Sequence, residues 1–257
     1  MAVFNAMRTR NARLIEGFHQ RVHPFPASLV IEPISICNYA CCGCHAGLGD
    51  LKRGGLLDMG TLNDHVLPVI PDVRQVRLYN YGEPFLHPHI IDIIGSIRRK
   101  NRALNLHIST NGQLMTKEIA EGLVDAQVNY LIVSVHGGPT QEGLLKYSRR
   151  GPEIDVITAN IDYLVKLKKR KGKRLPWIFL KAILFKWNDS EEEMEAFLEL
   201  GKTLGVDFAG WGANSSDPAL SSTRVAPGTQ PYQDLVEKKL LESNFYELPA
   251  WPAETGV

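Results

Sequence analysis

Four cysteines, Cys37, Cys41, Cys42 and Cys44, fall within the stretch ISICNYACCGCHAG (34–47), and the 257-residue chain carries no other. Disulfides between thiols this close in sequence would close only short loops and restrain the unfolded chain little. In a reducing compartment such a group is better suited to metal binding or catalysis. Cys37, Cys41 and Cys44, at CxxxCxxC spacing, can meet at one metal centre. Two centres fit these residue types: a zinc held by the three thiolates and His45, or an iron–sulfur cluster held by three thiolates with one iron left open. Structural zinc usually takes four protein ligands, often from paired hooks, and there is no second cysteine hook. The spacing favours iron–sulfur chemistry and leaves zinc open.

Composition narrows the setting. With 44% hydrophobic and 22% charged residues, the chain has the makeup of a globular protein with a full core. A formal net charge of +1 gives no global field towards nucleic acid or an anionic membrane, so neither is an expected partner. No apolar run approaches the roughly eighteen residues of a membrane span. The opening MAVFNAMRTRNARLIEGFHQ carries arginines but no apolar core for secretion. An amphipathic helix is expected in 1–26, and a cytoplasmic location for the protein.

The elements that must position the cysteines follow from periodicity. Strand-like runs occupy 27–35, 73–80, 104–110, 129–135, 176–185 and 206–213. Helical patterns separate them, among them 116–126, 155–170 and 190–204, the last opened by a capping box of Ser190 and Glu193. Runs that read as apolar throughout fit a parallel sheet covered by helices. The expected α/β fold is a partial (β/α)6 barrel over 27–213. It follows the N-terminal extension 1–26 and precedes an irregular segment, 214–257, rich in Ser, Pro and Gly. That segment holds one helical stretch, YQDLVEKKLLESNF, and is expected to pack near the barrel mouth.

In such folds the chemistry lies at the C-terminal strand ends. The cysteine loop follows the first run, and YNYGEPFLHP, with Tyr81, Gly82 and Glu83, follows the second. STNG, with Ser109, Thr110 and Asn111, ends the third, and SVHGG, with Ser134 and His136, ends the fourth. Over roughly 27–213 this ordered set resembles the radical SAM enzymes. The branch most similar contains the molybdenum-cofactor and pyrroloquinoline-quinone peptide enzymes and the proteins with a cysteine-rich C-terminal extension, although the auxiliary-cluster cysteines of that extension are missing here.

The resemblance implies one 4Fe-4S cluster on Cys37, Cys41 and Cys44, with S-adenosylmethionine chelating the open iron. It implies reductive cleavage of that cofactor to a 5′-deoxyadenosyl radical, which attacks an unactivated C–H bond. Glu83 is then expected to accept hydrogen bonds from the cofactor's ammonium, and Gly82, beside Tyr81, to let the backbone approach closely. Ser109, Thr110, Asn111 and Ser134 resemble polar contacts to ribose and methionine, and His136 stands where relatives often carry Asp. Ser148 replaces a frequent Arg in KYSRRGPEID, so Arg149 or Arg150 is left to bind the carboxylate. Cys42 is read as a packed thiol. Gly43 stands where a bulky residue usually covers the adenine.

A single cluster points to epimerisation, rearrangement, elimination or radical addition on a small-molecule biosynthetic substrate. Modification of a peptide is the second reading, and a non-enzymatic zinc or iron–sulfur binding module the third. Trp211 and Arg224 are weaker candidates for substrate contacts. The basic run KLKKRKGKR (166–174) reads as a solvated helix end, or as a docking face for an acidic flavodoxin or ferredoxin that delivers the electron.

Overall fold

The computed structural model describes residues 27–49, 55–212 and 219–242. The helix expected in 1–26 lies outside the described residues, as do 213–218 and 243–257 of the C-terminal stretch. Seven parallel strands form one sheet in sequential order. They are β1 (Ser28–Val30), β2 (Gln75–Leu78), β3 (Asn105–Thr110), β4 (Tyr130–Ser134), β5 (Trp177–Ile183), β6 (Phe208–Gly212) and β7 (Leu241–Glu242). The connecting helices are α1 (Ile90–Lys100), α2 (Lys117–Asp125), α3 (Gln141–Tyr147), α4 (Ile154–Arg170), α5 (Glu191–Leu204) and α6 (Gln230–Glu237). Strands added one after another in the same direction, each through a crossover, put the helices on one face and curl the sheet towards a barrel.

The six expected strands and the parallel, helix-covered partial barrel are all present. Val76, Leu78, Leu106, Ile108, Leu131, Val133, Ile178 and Leu180 face the helices and are completely buried. They share one core with Ile93, Ile94 and Ile97 of α1, Leu123 and Val124 of α2, Ile161 and Leu164 of α4, and Phe197 of α5. Their neighbours in sequence point the other way. Gln75, Arg77, His107, Ser109, Ser134 and Lys181 thus line the inner face. β2 and β3 are thus not apolar throughout, as the sequence reading had it, whereas β4 and β5 also turn Tyr130, Ile132, Phe179 and Ile183 inward.

Helix ends follow side-chain chemistry. Thr116, Thr140 and Ser190 accept hydrogen bonds from the amides of Ile119, Gly143 and Glu193 and so start α2, α3 and α5. Gly205, at φ 68°, stops α5. The helix expected in YQDLVEKKLLESNF begins earlier, capped by Thr229, and ends at Glu237. The chain then reverses through Lys239, at φ 57°, and buries Leu241 beside Trp211 as β7. Among the described residues no helix is long and apolar enough to cross a membrane.

Candidate active site

The cysteine loop is pinned to the connection between α3 and α4. Cys41 bridges Ser148, the Cys42 amide donates to the Tyr147 carbonyl at 2.9 Å, and the Arg149 amide donates to the Ala40 carbonyl at 3.3 Å. Ser148 is fully buried. Its hydroxyl accepts from the Ala40 amide at 3.1 Å and donates to the Arg150 carbonyl at 3.0 Å. An arginine at 148 has no space here. On the other side, a Cβ on Gly82 would sit 1.7 Å from the Ile34 carbonyl oxygen. Gly82 thus permits a close approach to the segment leading into the cysteine loop.

None of the four cysteines is in a disulfide. Burial is the main force pushing the Cys37 thiol up to about 11, against the Tyr39 amide, which donates to its sulfur. Burial and then the Cys37 charge push Cys41 to about 12. Cys44 adds to both shifts, so the three sulfurs share one electrostatic neighbourhood. Thiols held this way become thiolates only beside a cationic centre. Among the described residues no three His, Cys, Asp or Glu side chains converge tightly enough for one metal ion, and the His45 ring packs edge-on against Tyr81 at 5.7 Å. Three thiols on one loop are a donor set that an iron–sulfur cluster can take.

Glu83 is 3% exposed. One carboxylate oxygen accepts from the Thr110 hydroxyl at 2.7 Å and the Phe85 amide at 3.1 Å, and the other from the Asn111 amide at 2.8 Å. Burial still raises its pKa to about 7 against these three donors. The side chain expected to receive the ammonium ties the end of β2 to the end of β3. Thr110, equally buried, donates to Glu83 and accepts from the Gly112 amide at 3.0 Å. The Asn111 carboxamide donates to Asn38 in the cysteine loop at 2.8 Å and accepts from the Gln113 amide at 3.1 Å.

The hydroxyls of Ser109 and Ser134 lie 3.5 Å apart on the inner face. His136 follows β4 with a buried Nδ1 that has no partner, and burial followed by the Lys181 charge lowers its pKa to about 3. Tyr81 is 39% exposed, and its amide donates to Glu32 at 2.7 Å. Arg149 and Arg150 are both exposed, but it is the Arg150 charge that acts on Cys37, in the sense that favours its thiolate.

A second apolar cluster of Tyr147, Ile183 and Phe185 packs against Cys41, Cys42, Trp187 and Leu220. This places Cys42 in a wall of the site. Sequence reasoning passed over Glu32, which also accepts from the Gly82 amide at 3.0 Å, as well as Asn38, Lys181 and Trp187. A glutamate inside the apolar run LVIEPIS and a lysine inside WIFLKAILF were the available signals.

Other candidates are placed elsewhere. Trp211 is 1% exposed and packs on Phe197 between sheet and helix. Arg224 donates to the Asp189 carbonyl at 2.6 Å and rests on Met194. Both have structural surroundings. The basic run closes α4, a helix of 17 residues that leaves the cysteine end and travels about 25 Å to the opposite end of the barrel. There Lys168 pairs with Asp207, just before β6, at 2.8 Å, and Lys171 pairs with Asp125 at 2.6 Å. A carrier docked on this run would be far from the cysteines.

Comparison with known proteins agrees with this geometry. The chain is 28% identical over 184 residues to the tungsten-containing aldehyde ferredoxin oxidoreductase cofactor-modifying protein of Pyrococcus furiosus, covering 70% of this chain and 49% of that protein. It is 32% identical over 114 residues to the GTP 3',8-cyclase of Nostoc sp., covering 42% of this chain and 34% of the cyclase. The chain thus spans about half, or less, of the length of these relatives. Its fold is similar to that of Streptococcus suis SuiB bound to S-adenosylmethionine, with a TM-score of 0.63 over 82% of this chain and 47% of SuiB at 18% identity. The model of the radical SAM superfamily matches residues 31–201. That match runs from just after β1 into α5 and takes in the cysteine loop and the ends of β2 to β5, so the chain belongs to the radical SAM superfamily.

Proposed function

We propose that the protein is an enzyme that holds one 4Fe-4S cluster on Cys37, Cys41 and Cys44 and cleaves S-adenosylmethionine reductively to act on a small-molecule biosynthetic substrate. The observation that carries this reading is the set of three thiols in one electrostatic neighbourhood, on a loop fixed from both sides at the mouth of the barrel. When bound, the cluster supplies the electron that breaks the cofactor's S–C5′ bond, and the 5′-deoxyadenosyl radical released takes hydrogen from substrate.

The chain's own residues have narrower tasks. Glu83, Thr110 and Asn111 hold the ends of β2 and β3 against the cysteine loop. Arg150, whose charge reaches Cys37, is the better of the two arginines to meet the cofactor carboxylate. Ser109 and Ser134 offer paired hydroxyls to ribose. The apolar cluster at Tyr147, Ile183 and Phe185 keeps water from Cys41 and Cys42. A flavodoxin or ferredoxin would deliver the electron at the cysteine end.

Anaerobic reconstitution with iron and sulfide tests the reading. A brown protein with about four irons per chain that makes 5′-deoxyadenosine from S-adenosylmethionine after reduction is expected. A colourless protein that retains only zinc overturns it. Product formed with a peptide and with no small metabolite would move the substrate to the peptide class.

A further inference from the structure

The basic run that closes α4 is left unused by the proposed function, and most of its charges are already committed. Lys166 pairs with Asp162 at 2.7 Å, Lys168 with Asp207 at 2.8 Å and Lys171 with Asp125 at 2.6 Å, and the Arg170 guanidinium lies over the Tyr163 ring at 5.7 Å. Lys173 and Arg174 differ. Both are exposed, and neither side chain has a hydrogen bond or ion pair among the described residues.

The backbone that carries these two cations is fixed by the way the helix ends. Gly172 takes the left-handed turn at φ 59°. Its amide donates to the Lys169 carbonyl at 3.1 Å and the Lys173 amide to the Lys168 carbonyl at 2.9 Å, the paired bonds that close a helix on a glycine. The turn that follows forms one side of a cavity of about 530 Å³, lined by Lys173, Arg174, Leu175, Trp177, Gln127 and Asn129. On the other side Arg98 donates to the Gln127 carbonyl at 3.0 Å and to Asn129 Oδ1 at 2.8 Å. The same Asn129 oxygen accepts from the Leu106 amide at 2.9 Å, so the carboxamide is oriented by its oxygen and keeps its Nδ2 donor for the cavity. Trp177, which opens β5, packs its ring on Phe208 at 5.9 Å and with Leu175 supplies the apolar wall.

This lining holds two cations, two carboxamides and an indole, and no carboxylate. Adjacent Lys173 and Arg174 supply two positive charges, the complement of a phosphate monoester at about −2 near neutral pH and more than a carboxylate neutralises. A guanidinium fork and an amide donor suit the terminal phosphate oxygens, and the apolar wall suits the body that carries them.

We propose that this cavity binds a small phosphate ester with an aromatic or apolar body, its oxygens held by Lys173, Arg174 and Asn129 and its body against Trp177. The cavity lies where β4 and β5 begin, at the end of the barrel opposite the cysteine loop. Its ligand is therefore separate from the compound whose C–H bond the proposed function attacks, and the site stands independently of that function.

Calorimetry on the full chain tests it, with phenyl phosphate, benzoate and a single-stranded oligouridylate as probes. Phenyl phosphate should bind saturably and more tightly than benzoate. Lys173→Gln combined with Arg174→Gln should weaken it at least about tenfold, through the loss of charge-assisted bonds. Lys166→Gln combined with Lys169→Gln removes the same charge from the same helix outside the cavity, and should change the affinity less than about twofold. Equal weakening in the two double variants traces the binding to the general field of the run and overturns the site. Phenyl phosphate that does not saturate, benzoate that binds as tightly, or oligouridylate that binds where phenyl phosphate does not would each overturn it too. All four substituted side chains are exposed. Should the Lys173 and Arg174 double variant fail to fold, Arg174→Gln alone decides, with weaker binding expected and unchanged affinity against the site.

Discussion

The Asn111 amide donates to the Glu83 carboxylate at 2.8 Å, joining the end of β3 to the end of β2 through a side chain that is 3% exposed. Burial raises the Glu83 pKa from an ordinary 4.5 to about 7. The folded protein therefore binds more protons than the unfolded chain between these values, and stability falls as pH rises through that window. Glu83→Gln should remove this slope. Urea unfolding of both proteins across the window checks it, and parallel pH profiles would refute it.

Gly82 lies against the backbone that enters the cysteine loop. With a Cβ placed 1.7 Å from the Ile34 carbonyl oxygen, Gly82→Ala forces backbone apart from backbone. We expect a loss of at least ~3 kcal/mol and poor retention of iron, read by denaturant unfolding and iron analysis. Wild-type values for both would contradict this packing.

Ser148→Ala removes the acceptor for the Ala40 amide and leaves that donor unsatisfied. The expected cost is about 1–3 kcal/mol, with faster hydrogen exchange at the Ala40 amide. Ser148→Arg, which brings back the residue type common in relatives, should cost about 3 kcal/mol or more, because the site is fully buried. Thermal unfolding ranks the three proteins.

The basic turn at the far end of α4 should have no part in electron delivery. Lys169→Glu combined with Lys173→Glu should leave the ratio of flavodoxin-driven to dithionite-driven cofactor cleavage unchanged. A selective fall in the flavodoxin rate would put the docking face back on this run.

Much of this architecture was legible in the sequence. All six strand runs are present, because buried parallel strands need long apolar stretches, and Ser190 caps α5 as its type and position predict. The polar inner face of β2 and β3 was harder to see. In VRQVRLYN and LNLHIST the alternation is present, but it covers only one or two side chains per strand. The scaffold contacts of Glu83, Thr110 and Gly82 were not foreseen, because a motif records which residue types recur at a strand end and not where they point. Burial directs Glu83 towards Thr110 and Asn111, a choice fixed by strand register that no local pattern reveals.

The contact between Ala40 and Ser148 spans 108 residues, which orders events during synthesis of the protein. Until the chain has emerged from the ribosome beyond Arg150, the loop carrying Cys37, Cys41 and Cys44 has nothing to brace it on that side. Cofactor loading on a nascent chain would meet a floppy ligand set open to oxidation or the wrong metal. A cluster held on these cysteines is therefore expected to form late, on a barrel already wound past its fourth strand.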